Sequence, residues 1–207
     1  MPKLMPLLCL LLPILGSAAD LMPLDHGLRY VGHEGLKPVK VEITLRERME
    51  GGYDYVQWVM PRGWASWFGR STRTHSSLAW QDESLQPMAF DAGRGSQAPP
   101  AGLAEGSLDE LAVRLRVRAD IARGKRQADY PVWRADGREE TWTLTVKDTE
   151  TVQTPDGSYT CLRFRLGTDE EWLEGWSAPL LVFHFVKLEH WRDGRMVGSL
   201  SLDEKQL

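Results

Sequence analysis

Apolar and polar residues alternate along most of the chain from about residue 27 onward. In Val39-Lys40-Val41-Glu42-Ile43-Thr44-Leu45-Arg46 the alternation is strict, which predicts a strand with one face on a core and one in water. Gly51-Gly52 then turns the chain into Tyr53-Asp54-Tyr55-Val56-Gln57-Trp58-Val59-Met60, a hairpin pattern. The same period predicts strands at 28–32, 71–80, 85–91, 128–134, 139–148, 150–154, 159–166, 171–177, 181–191 and 196–202. Asp136-Gly137, Pro155-Asp156-Gly157 and Asp193-Gly194 supply the residues that tight turns need at positive φ. Such short links join antiparallel neighbours, so the pattern predicts a meander with little or no parallel sheet.

One segment breaks the period. Leu108, Leu111, Ala112, Leu115, Ala119 and Ala122 recur at helical spacing, and Gly124 can end the run. Ser107-Leu108-Asp109-Glu110 reads as a capping box, with Ser107 accepting from the Glu110 amide, so a helix is expected over 107–123. At 1.5 Å per residue its length is roughly 25 Å, enough to cross about five strands spaced about 4.8 Å apart. The segment 93–106 before it is rich in Gly, Ala and Pro and reads as a flexible loop. The expected fold class is therefore mainly β: an antiparallel meander forming a curved sheet or half-barrel, with one amphipathic helix packed across it.

The N-terminus adds a compartment. Lys3 precedes an apolar run from Leu4 to Leu15, followed by Gly16, Ser17, Ala18 and Ala19, the three-part pattern of a cleavable signal peptide over 1–19. The apolar run is about twelve residues and contains prolines, too short for the roughly 20 residues a membrane span needs. Residues 20–207 are expected to form a single exported, periplasmic β-rich domain with no transmembrane span. Among 207 residues there are 25 Lys+Arg and 29 Asp+Glu, a net charge of −4 that argues against a nucleic-acid partner. Loss of Cys9 with the signal leaves Cys161 alone, so no internal disulfide is expected, and burial on a strand is its plain reading.

Several stretches taken together carry a family resemblance. They are the meander, Asp109-Glu110-Leu111-Ala112 opening a helix that closes on Asp120-Ile121-Ala122-Arg123-Gly124, and the run Glu150-Thr151-Val152-Gln153-Thr154-Pro155-Asp156-Gly157-Ser158-Tyr159. To these add Arg163, Arg165 and Trp176-Ser177-Ala178-Pro179 before a final hairpin. Over about 27–202 the chain resembles an uncharacterised family of exported bacterial proteins, a domain-of-unknown-function family of the 3108 type, similar in shape to lipoprotein-carrier half-barrels. The resemblance implies fold and location and no catalytic residues. Between Asp91 and Ser107 that family carries a further strand pair, which the Gly/Pro-rich loop replaces here.

Candidate chemistry is sparse. His26, His33, His75, His184 and His190 show no metal-ligand spacing; His184 and His190, six residues apart on a strand at about 3.3 Å each, stand some 20 Å apart. No metal and no cofactor is expected, and GxSxG, GxGxxG and P-loop patterns are absent. Asp169-Glu170-Glu171 and Glu139-Glu140 are the densest acidic groups, read as exposed charge flanking strands, with a hydrolytic acid pair as the sharper alternative. Arg114, Arg116, Arg118, Arg123, Lys125 and Arg126 read as the solvated face of the helix, with contact to anionic headgroups as the alternative.

The nine tryptophans need a use. Pro61-Arg62-Gly63-Trp64-Ala65-Ser66-Trp67-Phe68-Gly69-Arg70 places three large rings in a connection, where polar residues are the rule. Those rings can plug the open end as core, line the mouth of a ligand cavity, or dip into a membrane interface. Tyr53, Tyr55, Trp58, Trp80 and Trp142 can continue an aromatic wall inward. The ligand-binding candidates are therefore Tyr53, Tyr55, Trp58, Trp64, Trp67, Phe68, Trp80 and Trp142. The expected function is non-enzymatic binding of an apolar or amphipathic envelope ligand, such as a lipid. The alternatives are an assembly partner of another envelope protein and, third, a hydrolase of envelope polymers.

Overall fold

The computed structural model describes residues 25–81, 84–93, 95 and 97–207, so the expected signal peptide lies outside the described residues. The chain runs β1 (His26–Glu34), β2 (Lys37–Glu47), β3 (Tyr53–Pro61), β4 (Thr72–Gln81), β5 (Ser84–Asp91), β6 (Leu108–Asp109), α1 (Ala112–Ala122), β7 (Gln127–Trp133), β8 (Glu139–Thr154), β9 (Gly157–Gly167), β10 (Glu171–Ala178), β11 (His184–Arg192) and β12 (Arg195–Gln206). All twelve strands belong to one sheet in the order β5-β4-β3-β2-β1-β12-β11-β10-β9-β8-β7-β6. The result is a nearly closed, barrel-like sheet around one helix. Every pairing is antiparallel except the two-residue β6–β7 contact. The fold is thus mainly β with a single helix, as the alternation predicts.

Side chains stitch the seam between the two edges. Ser76 on β4 donates to Asp109 on β6 at 2.5 Å, and the Phe90 and Trp133 rings meet edge to face at 5.5 Å. The segment after β5 folds back, with Phe90 and Gln97 exchanging backbone hydrogen bonds of 2.8 Å. The strands of 139–148 and 150–154 are one continuous β8 with a register shift between Val146 and Thr149. β11 begins at His184 and not at 181, because Pro179–Leu181 forms a 3-10 turn and Val182 and Phe183 take positive φ.

The helix begins later than expected, and its cap differs. Ser107 does not close a capping box: its hydroxyl donates to Glu139 at 2.7 Å. Asp109 does the capping, its Oδ1 accepting from the Leu111 and Ala112 amides at 2.8 Å each. The helix also carries no fully solvated face. Leu111, Ala112, Val113, Leu115, Val117 and Ile121 are buried, and so are Arg118 and Asp120. A sheet that wraps nearly all the way round leaves the helix few directions in which to meet water. The basic residues at 114 and 118 therefore do not belong to a solvated stripe.

Candidate functional site

Antiparallel order puts the β1–β2, β3–β4, β9–β10 and β11–β12 connections at one end of the barrel. The helix starts near that end, at Asp109 of the seam, and runs toward the other, where His26 opens β1 and His184 opens β11. Between the first turns of the helix and the inner face of the sheet lies a cavity of about 390 Å³. That size falls within the roughly 300–1,000 Å³ range of small-molecule sites.

The walls of the cavity are apolar because strand alternation turns one side chain in two inward: Val39 and Val41 from β2, Val59 from β3, Leu166 from β9, Leu188 from β11 and Leu200 from β12. Trp142 adds aromatic surface, while Trp172 borders the cavity from an outward strand position, paired with Gly167 and Trp191 one residue out of phase with the inward Leu173. Trp172 is held from outside the cavity by a parallel stack on Trp191, with centroids 5.8 Å apart, and by the Arg165 guanidinium 4.0 Å from its ring.

Charge is confined to two places. At the rim, Arg134 reaches Glu110 at 3.3 Å and Glu140 and Glu171 at 3.4 Å, while Glu171 accepts from His190 and Arg192 at 2.7 Å each. Burial works against the Glu171 charge. The hydrogen bonds from Arg192 and His190 and the charge of Arg134 outweigh it and hold this carboxyl below its ordinary range. The two acidic groups singled out in the sequence therefore converge on one arginine. A general acid needs its pKa raised, and Glu171 moves the other way.

Deeper inside, Arg114 and Arg118 stand four residues apart on one face of α1, with Glu110 four residues before Arg114 in the turn that leads into the helix. Arg114 lines the cavity and donates to Gln57 of β3 at 2.5 Å, yet its buried Nε has no partner among the described residues. Arg118 is 9% exposed and donates to the His184 ring, whose centroid lies 4.4 Å from that of His26. Among the described residues neither guanidinium has an ion-pair partner, whereas Glu110 is paired with Arg134. Among the same residues no group of three or more His, Cys, Asp or Glu is placed to hold a metal ion.

The eight aromatic candidates separate in space. Trp142 lines the cavity. Tyr53 and Tyr55 are core residues, and Trp80 is half-buried against that core. Trp58 points to the outer face of β3, opposite to Gln57 and Val59, and is 46% exposed. Trp64, Trp67 and Phe68 stand at the barrel end that holds the cavity mouth, 58%, 81% and 83% exposed, so they do not plug the interior. Gln57, Arg114, Trp172 and the Arg134 network were not singled out as a site by the sequence. The one local signal was the four-residue spacing of Arg114 and Arg118 on a helix with apolar residues on every side.

No protein-family model matches the sequence, and a search of curated proteins finds no match. Solved structures do match. A β-barrel-like protein of domain of unknown function DUF1849 from Brucella abortus superposes with a TM-score of 0.51 at 9% identity, covering 88% of this chain and 97% of that one. A candidate lipoprotein from Parabacteroides distasonis has a TM-score of 0.34 at 10% identity, covering 88% and 95%. A candidate exported protein with a YmcC-like fold from Bacteroides fragilis has 0.36 at 12%, again covering 88% and 95%. The first of these shares the fold with this chain and defines its class: a barrel-like β protein. Kinship with the 3108-type family has no support from these matches.

Proposed function

We propose that the protein is a non-enzymatic, periplasmic binding protein for an amphipathic envelope ligand, which it holds in the cavity between α1 and the sheet. One observation carries this reading: a cavity of about 390 Å³ with apolar walls and charge restricted to its rim and one inner side chain. That is the division of surface an amphipathic molecule presents. The signal-like N-terminus supports location in the envelope. Three of the carboxylates at the rim, Glu110, Glu140 and Glu171, are each engaged by Arg134, which fits a structural role for them better than an acid–base one.

The test is displacement of an environment-sensitive apolar dye. The folded protein should bind the dye and release it to single-chain amphiphiles. Val41→Phe or Leu200→Phe, each adding bulk to the cavity wall, should lower dye binding with the fold retained by circular dichroism. Undiminished binding in both variants would move the ligand elsewhere.

A second reading, docking to another envelope component, is favoured by the exposed rings of Trp64, Trp67 and Phe68 beside Arg62 and Arg70. Aromatic residues and arginine are the side chains most enriched at interface centres.

A further inference from the structure

We infer that Arg114 is the anchor for an anionic head group, so that the cavity takes a single-chain acid with its head inward and its apolar chain toward the mouth. The inference rests on the proposed binding role and names the chemical class of the ligand.

The first ground is charge balance. A guanidinium stays protonated under all ordinary conditions, and taking a charge out of water is costly unless it is paired. Arg134 at the rim has three carboxylate partners; Arg114, one step deeper, has the neutral Gln57. The side chain lines the cavity, and its buried Nε has no partner among the described residues, so the guanidinium is under-satisfied as it stands. An oxyanion in the cavity beside this guanidinium would supply the counter-charge that Gln57 does not.

The second ground is the surroundings. Arg118 lies a turn further along the same helix face and has His184 as its partner, so the positive potential at this depth is the sum of two guanidiniums. Within the apolar interior such a field is weakly screened, and a charge-assisted bond to an anion there is stronger than at the surface. A cation would meet repulsion at the same position. A neutral head group would leave both charges uncompensated.

The third ground is polarity along the cavity. Between Arg114 and the rim network the wall is made of Val39, Val59, Leu188 and Leu200. A head group bound at Arg114 sends its chain past these residues. A head bound at the rim instead would place the chain end against a bare guanidinium, which is unfavourable.

The experiment compares binding of four probes of equal chain length to the full folded protein by dye displacement: an alkyl carboxylate, an alkyl phosphate, the matching alcohol and the matching alkylamine. The expected result is that an anion binds roughly tenfold or more tighter than the alcohol, and that the amine binds weakest. The carboxylate and phosphate arms distinguish a fatty-acid head from a phospholipid-like one. Arg114→Met should abolish the preference for anions while leaving alcohol binding in place, and Arg114→Lys should retain part of it. Equal binding of acid and alcohol to the wild-type protein would overturn the anionic head group while leaving the cavity reading intact. Binding of none of the four would overturn both.

Discussion

The guanidinium of Arg118 stands 2.9 Å from Nε2 and 3.0 Å from Nδ1 of His184, deep in the barrel. An arginine can only donate, so the imidazole must be neutral to accept. Burial holds the His184 pKa down to about 2, and the charges of Arg118 and His26 push in the same direction. The histidine is a fixed acceptor and not a proton-driven switch. It lets Arg118 remain in the interior with its charge uncompensated, which is what the field around Arg114 requires.

That pairing has a pH signature. In the unfolded chain His184 titrates near its usual value of about 6.5, but in the folded protein it does not take up a proton until about pH 2. Below pH 6.5 the unfolded state therefore binds a proton the folded state refuses. Stability from this group is fully present above pH 6.5 and falls as the pH drops, by about 1.4 kcal/mol per pH unit once well below 6.5. Urea unfolding at pH 7.5 and 5.5 checks it: the wild type should lose more stability on acidification than His184→Gln. Equal losses in the two proteins would mean that His184 titrates in the folded state as it does in water.

Asp109 works in the opposite sense. Burial raises its pKa to about 6, against the hydrogen bonds from Ser76, Ala112 and Leu111 that favour the charged form. The folded state thus holds a proton that the unfolded state has released between about pH 4 and pH 6, and stability falls as pH rises through that window. Asp109→Asn keeps an acceptor for the Leu111 and Ala112 amides and removes the titration, so its stability should vary less between pH 4 and 6. Asp109→Ala leaves both buried amides and the Ser76 hydroxyl without an acceptor and should cost about 2–4 kcal/mol. Chemical denaturation of the two variants at pH 7 separates the effects.

Strands and turns were legible because both signals are local. Alternation such as Val39 to Arg46 states which side chains share a face, and Asp193-Gly194 states where the chain reverses. Which face becomes the interior of a wrapped sheet is set by contacts far apart in sequence. Arg114 and Arg118 have the spacing of an exposed stripe, and only the closure of β3 and β11 around the helix turns that stripe inward. The Ser107 cap failed for the same reason, since Glu139, 32 residues away, takes its hydroxyl. Glu171 and Glu140 were visible as charge, but their meeting at Arg134 depends on the β7–β8 and β9–β10 turns falling at one end of the barrel. Trp142 reached the cavity because it lies on an inward strand position, whereas Trp58 lies one residue out of phase with Gln57 and Val59.

The aromatic connection between β3 and β4 yields a prediction that separates core from surface. A ring that fills a core costs about 3–5 kcal/mol when removed. Trp67 and Phe68 are more than four-fifths exposed, and the turn that carries them is held by its own backbone, with Gly69 N donating to the Ala65 carbonyl at 2.8 Å and Ser66 Oγ to the Gly63 carbonyl at 2.7 Å. Nothing in that hydrogen-bonded frame depends on the rings. The double variant Trp67→Ser, Phe68→Ser should therefore unfold within about 0.5 kcal/mol of the wild type, the range of ordinary surface substitutions. Ala65, buried in the same turn, gives the contrast, because Ala65→Asp should destabilise the protein by placing a carboxylate where only a methyl group now fits. Thermal melts of the two proteins decide it. A large loss in the double variant would return these rings to the core and remove the exposed surface on which the docking reading stands.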